Sequence, residues 1–170
     1  MRILGIDPGS RVIGFGLLEC SKSGSMIASQ YKIMEAGVLR ANLELPLVQR
    51  IGSIHQAMYD LTKQLKPNYC VIESAFMGVN AQSALKLGQA RGALISAMSR
   101  CDVPIHEIAP TKVKKLMAGV GHGTKEQVSE GVQRLLKVTI PDVPSDVTDA
   151  LAIALSFMLI SGRSLRLRTK

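Results

Sequence analysis

The chain is 170 residues long, 46% apolar and 20% charged, the composition of one globular domain rather than a disordered segment or a fibrous repeat. A formal charge of +8 at neutral pH favours a polyanionic partner or an anionic surface, while the absence of tryptophan and an aromatic content of only 4% argue against a base-stacking platform for single strands. Cys20, Cys70 and Cys101 stand far apart in apolar contexts, so the sequence predicts reduced thiols rather than a zinc site or a disulfide framework. The opening MRILGID has no signal-peptide core and the longest apolar run, Ala150–Ile160, is too short to span a bilayer, so a soluble cytoplasmic protein is expected.

Three strands open the chain, namely Arg2–Ile6, Val12–Cys20 and an interrupted run over about Met26–Leu39, with links short enough for antiparallel neighbours. Leu47, Ile51, Ile54, Met58, Leu61 and Leu65 then recur at helical spacing up to Pro67. Asn68–Ile72 reads as a buried strand ending in Glu73. Ala81–Arg100 reads as a helix rich in small residues, which suits close approach by a core element or by a second subunit. Val103–Ile108 is a short strand and Thr111–Met117 a short helix. The glycine-rich link Gly119–Gly123 leads to Thr124 and Gln127, a capping-box pattern. The last helix is expected over Asp146–Ile160, with Ser145 as its cap. This order predicts an α/β mixed sheet, three antiparallel strands followed by two parallel ones, with helices on both faces. One domain is expected over residues 1–161, followed by a basic, flexible tail over 162–170.

Acids in apolar surroundings carry the chemistry. Asp7 ends the first strand just before Pro8-Gly9, and alone it reads more readily as a turn residue. Glu73 ends the fourth strand, where an unpaired acid after a buried run is costly. Asp146 and Asp149 stand three apart, on one face of the last helix and near its N-terminus, which favours their charge. If the two strands are parallel neighbours and the helix packs on the sheet, four carboxylates meet. Their repulsion then calls for a cation, and an all-oxygen set suits Mg2+ or Mn2+. Two such ions about 4 Å apart serve phosphodiester cleavage by activating water and stabilising the leaving oxygen. The basic segment Lys112–Lys137 supplies charge for a phosphate backbone, although a solvated helix face would look the same.

Three stretches, Gly5-Ile-Asp-Pro-Gly-Ser10, Ser83-Ala-Leu-Lys-Leu-Gly-Gln-Ala-Arg-Gly92 and Asp146-Val-Thr-Asp-Ala-Leu-Ala-Ile-Ala154, resemble the RuvC family of bacterial Holliday-junction resolvases, in order and over nearly the whole chain to Ser161. The resemblance implies a ribonuclease-H-like fold, a homodimer, and a branch-migration motor as working partner. It implies paired nicks on two strands of like polarity in a four-way DNA junction, with water as nucleophile and 5′-phosphate and 3′-hydroxyl ends. It places the catalytic, metal-holding acids on Asp7, Glu73, Asp146 and Asp149, with two Mg2+ per site, and no cofactor beyond the metal. Phe76 matches the family's junction-contacting aromatic, and Lys114 and Lys125 match its basic residues. His122 contacts phosphate at most. Ser74 stands where many relatives carry Gln, and Val79 where a basic residue is common; Asp142 has no counterpart in the acid set.

Three other readings are set against this one. A related nuclease acting on ribosomal RNA precursors shares the opening motif but lacks the SALKLGQARG stretch. A two-lobed ATP-binding module needs more than 170 residues. A non-catalytic DNA-binding scaffold would show no dependence on divalent metal.

Overall fold

The computed structural model describes residues 1–20, 31–74, 80–139 and 144–168, with side chains through residue 161. Its elements run β1 (Arg2–Asp7), β2 (Val12–Cys20), β3 (Tyr31–Arg40), α1 (Leu47–Leu65), β4 (Tyr69–Glu73), α2 (Ala81–Ser99), β5 (Ile105–Ile108), α3 (Pro110–Ala118), α4 (Lys125–Leu136) and α5 (Ser145–Arg168). The sheet order is β3-β2-β1-β4-β5. β1 pairs antiparallel with β2, and β2 with β3, while β4 runs parallel to both β1 and β5. This is the mixed sheet that the order of motifs predicts.

Local chemistry explains most element ends. Lys66, in the left-handed conformation, ends α1 just before Pro67. The Asn80 side chain accepts from the N–H groups of Gln82 and Ser83 and starts α2. Pro110 opens α3, where its missing N–H is not needed. Thr124 and Gln127 form the expected reciprocal cap on α4. α5 begins at Ser145 itself, one residue earlier than the sequence suggests, and its backbone stays helical beyond Ile160 to Arg168. The third strand lies at Tyr31–Arg40; the part expected before Tyr31 falls outside the described residues. Cys20 and Cys70 are buried and Cys101 half-buried.

Strand alternation divides the core in two. Leu4, Ile6, Ile13, Phe15, Leu17, Cys70 and Ile72 face one side and pack with α1 and α2 through Ile54, Met58, Leu94 and Met98. Ile3, Leu18 and Val71 face the other, against Val113 and Met117 of α3, Val128 and Val132 of α4, and Leu151 and Leu155 of α5. Continuing the alternation by two residues carries Asp7, after Ile3 and Gly5, and Glu73, after Val71, to the face covered by α5. Among the described residues, no helix is long and apolar enough to cross a membrane.

Candidate active site

Three segments far apart in sequence build the site. Parallel pairing of β1 and β4, in register at Ile6↔Ile72, brings the ends of both strands together, so Asp7 and Glu73 emerge side by side. The third segment is the first turn of α5. It reaches the sheet because two positions beneath it have no side chain. A Cβ at Gly5 would collide with the Ala150 carbonyl, and one at Gly14 with the Asp146 carbonyl. Gly14 lies directly opposite Asp7 in the β1–β2 ladder. The missing side chain thus seats Asp146 one strand away from Asp7.

Asp7, Glu73 and Asp149 line a cavity of about 260 Å³ together with Lys114 and Lys125. Pro110, Val113 and Val128 form its apolar wall. The Lys125 ammonium stands 3.4 Å from Asp149 Oδ2, with side-chain exposures of 70% and 29%. The well-exposed lysine can therefore leave the carboxylate for another anion. The α4 cap fixes its backbone, since Lys125 is the first residue after Thr124. A second hollow, about 420 Å³, continues outward between α4 and α5, past Ser129, Gln133 and Thr148.

The electrostatics are those of crowded anions. Asp7 is raised from 3.8 to about 7, first by burial and then by the charges of Asp149, Glu73 and Asp146, with Lys125 opposing. Glu73 is raised by burial and by Asp149, against Lys114 and Lys125. Burial also raises Asp149, and the adjacent Lys125 holds it back. Lys125 is itself raised, chiefly by Asp149. Two lysines do not neutralise this set. Its donors are all carboxylate oxygens, the chemistry preferred by Mg2+ and Mn2+. Among the described residues, no three His, Cys, Asp or Glu side chains close round one point as they stand. The fit to a divalent cation therefore rests on the donor type and the excess negative charge, not on a preformed cage.

Of the residues expected from sequence, Asp7, Glu73, Asp149, Lys114 and Lys125 share one cavity. Asp146 lies beside it over Gly14 and acts on Asp7 through its charge. His122 is exposed on the loop between α3 and α4. Phe76, Val79 and Asp142 lie outside the described residues. Ser74 ties strand ends together, its hydroxyl donating to the Ile108 carbonyl at 3.1 Å. In the basic segment, Arg134 donates to the Met117 carbonyl at 3.5 Å and so helps hold α3 to α4. Sequence reasoning missed the clearance role of Gly5 and Gly14, though the period-2 placement of Gly5 on the face of Asp7 signals it. It also missed Arg91, whose Nε donates to the Glu73 carbonyl at 3.0 Å; no spacing pattern announces such a contact.

Comparisons with known proteins identify the family. The family model "Crossover junction endodeoxyribonuclease RuvC" matches residues 3–157. The chain is 40% identical over 162 residues to the protein of that name from Chlorobium phaeobacteroides, covering 95% of this chain and 83% of the relative. It is 38% identical over 154 residues to that of Thermosipho melanesiensis, covering 91% and 94%. Among solved structures, Thermus thermophilus RuvC in complex with a Holliday junction substrate superposes with a TM-score of 0.85 at 29% identity, covering 96% of both chains. The yeast mitochondrial Holliday junction resolvase shares the fold, with a TM-score of 0.71 at 13% identity over 99% of this chain and 82% of its own. The family match over residues 3–157 and relatives at about 40% identity over most of the chain show that the chain belongs to the RuvC family of crossover junction endodeoxyribonucleases.

Proposed function

We propose that the protein resolves four-way DNA junctions by divalent-metal-dependent hydrolysis at the cavity between β1, β4 and α5. The observation that carries this reading is the convergence of Asp7, Glu73 and Asp149, from three distant segments, on one cavity that also holds two lysines. Asp7, Glu73, Asp146 and Asp149 would hold Mg2+, two per site as the family implies, with Mn2+ as a substitute. When bound, the metal supplies Lewis-acid charge and an activated water.

The chain's own residues supply the rest. Lys114 and Lys125 face the cavity and neutralise a phosphate brought to the acids. Lys125 exchanges Asp149 for that phosphate, which its exposure permits. Val113 and Val128 limit water on the inner wall. Phe76, three residues beyond Glu73, is the proposed wedge at the crossover, as apolar side chains between base steps are elsewhere.

Paired nicks need two sites, and α2 offers the surface for a dimer. Leu85 is 64% exposed, and a Cβ at Gly88 or Gly92 would meet nothing. Together they form an open, small-residue stripe on the outside of the helix. The products would carry 5′-phosphate and 3′-hydroxyl ends. A branch-migration motor and a cytoplasmic setting follow from the family reading.

Asp7→Asn and Glu73→Gln on a synthetic four-way junction test the proposal. Cleavage with Mg2+ should fall by at least about 100- to 1,000-fold, the scale for losing one group that stabilises transition-state charge. Junction binding in EDTA should persist. Full cleavage by either variant contradicts the assignment.

A further inference from the structure

Glu73 leaves β4 with a carbonyl that the sheet does not satisfy. The N–H of Ser74 donates to the Ile108 carbonyl at 2.9 Å, on the β5 side. The trans peptide between Glu73 and Ser74 therefore turns the Glu73 carbonyl the other way, toward β1. Extending the Ile6↔Ile72 register by one residue sets Asp7 opposite Glu73, and a parallel ladder then requires the N–H of residue 8. That residue is Pro8, which has none. The pairing of β1 with β4 accordingly stops at Ile6↔Ile72, although β1 continues to Asp7 along β2.

Arg91, in the middle of α2, supplies the missing donor. Its Nε donates to the Glu73 carbonyl at 3.0 Å, and its Nη2 stands 2.8 Å from Glu107 Oε2 on β5. The Arg91 side chain is only 15% exposed. The planar guanidinium hydrogen-bonds the carbonyl through Nε while its charge pairs with Glu107, whereas a lysine ammonium is a single point on a flexible stem.

We propose that Arg91 is the positioning residue for Glu73, standing in for the ladder bond that Pro8 removes and tying the backbone that carries the Glu73 side chain to α2. The same helix carries the open stripe of Leu85, Gly88 and Gly92 on its outer face, so the place of Glu73 depends on where α2 sits. This inference rests on the reading of Glu73 as a catalytic acid.

Arg91→Met, Arg91→Lys and Glu73→Gln, compared in the full-length protein, test it. Three quantities are measured: junction affinity in EDTA, binding of Mg2+ and Mn2+ by calorimetry without DNA, and kcat at saturating junction. Arg91→Met should leave junction affinity unchanged, weaken metal binding, and lower kcat by about 10- to 100-fold, the effect of a small misplacement at a reacting centre. Arg91→Lys should fall between wild type and Arg91→Met, and it carries the test if Arg91→Met does not fold. Wild-type metal binding and kcat in the Arg91 variants would overturn the proposal. So would a loss of junction affinity in step with kcat, which marks general damage. Wild-type cleavage by Glu73→Gln would instead overturn the reading of the site. An inactive Glu73→Gln beside fully active Arg91 variants would remove only the role of Arg91.

Discussion

The two faces of the sheet are packed by opposite means. Toward α1 and α2, the strands present Leu4, Ile6, Ile13, Phe15 and Leu17, large side chains that hold the helices off and fill the space between. Toward α5, they present Gly5 and Gly14, and the helix backbone comes down onto the strands. The first face supplies burial and the second supplies position. Only where the helix touches the sheet can carboxylates from its first two turns reach those at the strand ends. Stability and catalytic geometry are thus drawn from different faces of the same strands.

Gly14→Ala attacks the second face and has the largest expected effect. The added methyl meets the Asp146 carbonyl and pushes the first turn of α5 away from Asp7. A displacement near 1 Å lowers kcat by about 100-fold, and the overpacking costs about 1–3 kcal/mol. Junction cleavage and urea denaturation measure the two parts. Leu4→Ala attacks the first face. It removes a fully buried side chain and should cost about 2–5 kcal/mol, with kcat per folded molecule unchanged. If Leu4→Ala lowered kcat as much as Gly14→Ala, the division between the faces would fail.

The third test uses pH. The Asp7 carboxyl is raised from 3.8 to about 7 in the folded chain, so folding favours its protonated form. That contribution is complete below pH about 4 and is lost as pH rises through about 7. Metal-free protein should therefore lose stability across this window, and Asp7→Asn should reduce the loss, leaving the part that the raised Glu73 and Asp149 carboxyls contribute. Allowing for solvent screening at a partly exposed group, Asp7→Asn should be more stable than wild type by about 1–2 kcal/mol at pH 8 and no different at pH 4. Urea denaturation in EDTA at both pH values reads this directly. The smallest effect is expected for Thr124→Ala, which removes the α4 cap that holds the backbone of Lys125, at about 1 kcal/mol.

The acids were legible in the sequence because each stands in an apolar setting. Asp7 and Glu73 end buried strands, and Asp146 and Asp149 share the first turns of an apolar helix. The order of strands was legible from the short links and the helices that follow them. Other features depend on relations between distant segments that no local pattern encodes. Gly14 reads as any strand glycine until α5 is laid across it. Arg91 reads as one more cation until its side chain is found against Glu73 and Glu107. Pro8 reads as a turn residue, and its missing N–H matters only because β4 runs alongside. The basic segment Lys112–Lys137 was legible as charge but not as roles: Lys114 and Lys125 face the cavity, while Arg134 joins two helices.

The central claim is that carboxylates from three distant segments act as one coupled anionic site. A carbon-13 NMR titration of the Asp7 carboxyl in metal-free protein tests it most directly. The account predicts a midpoint near the raised value of about 7, moving down in Asp149→Asn because Asp149 is the strongest of the neighbouring charges. An Asp7 midpoint at the ordinary carboxylate value, unmoved by Asp149→Asn, would contradict it.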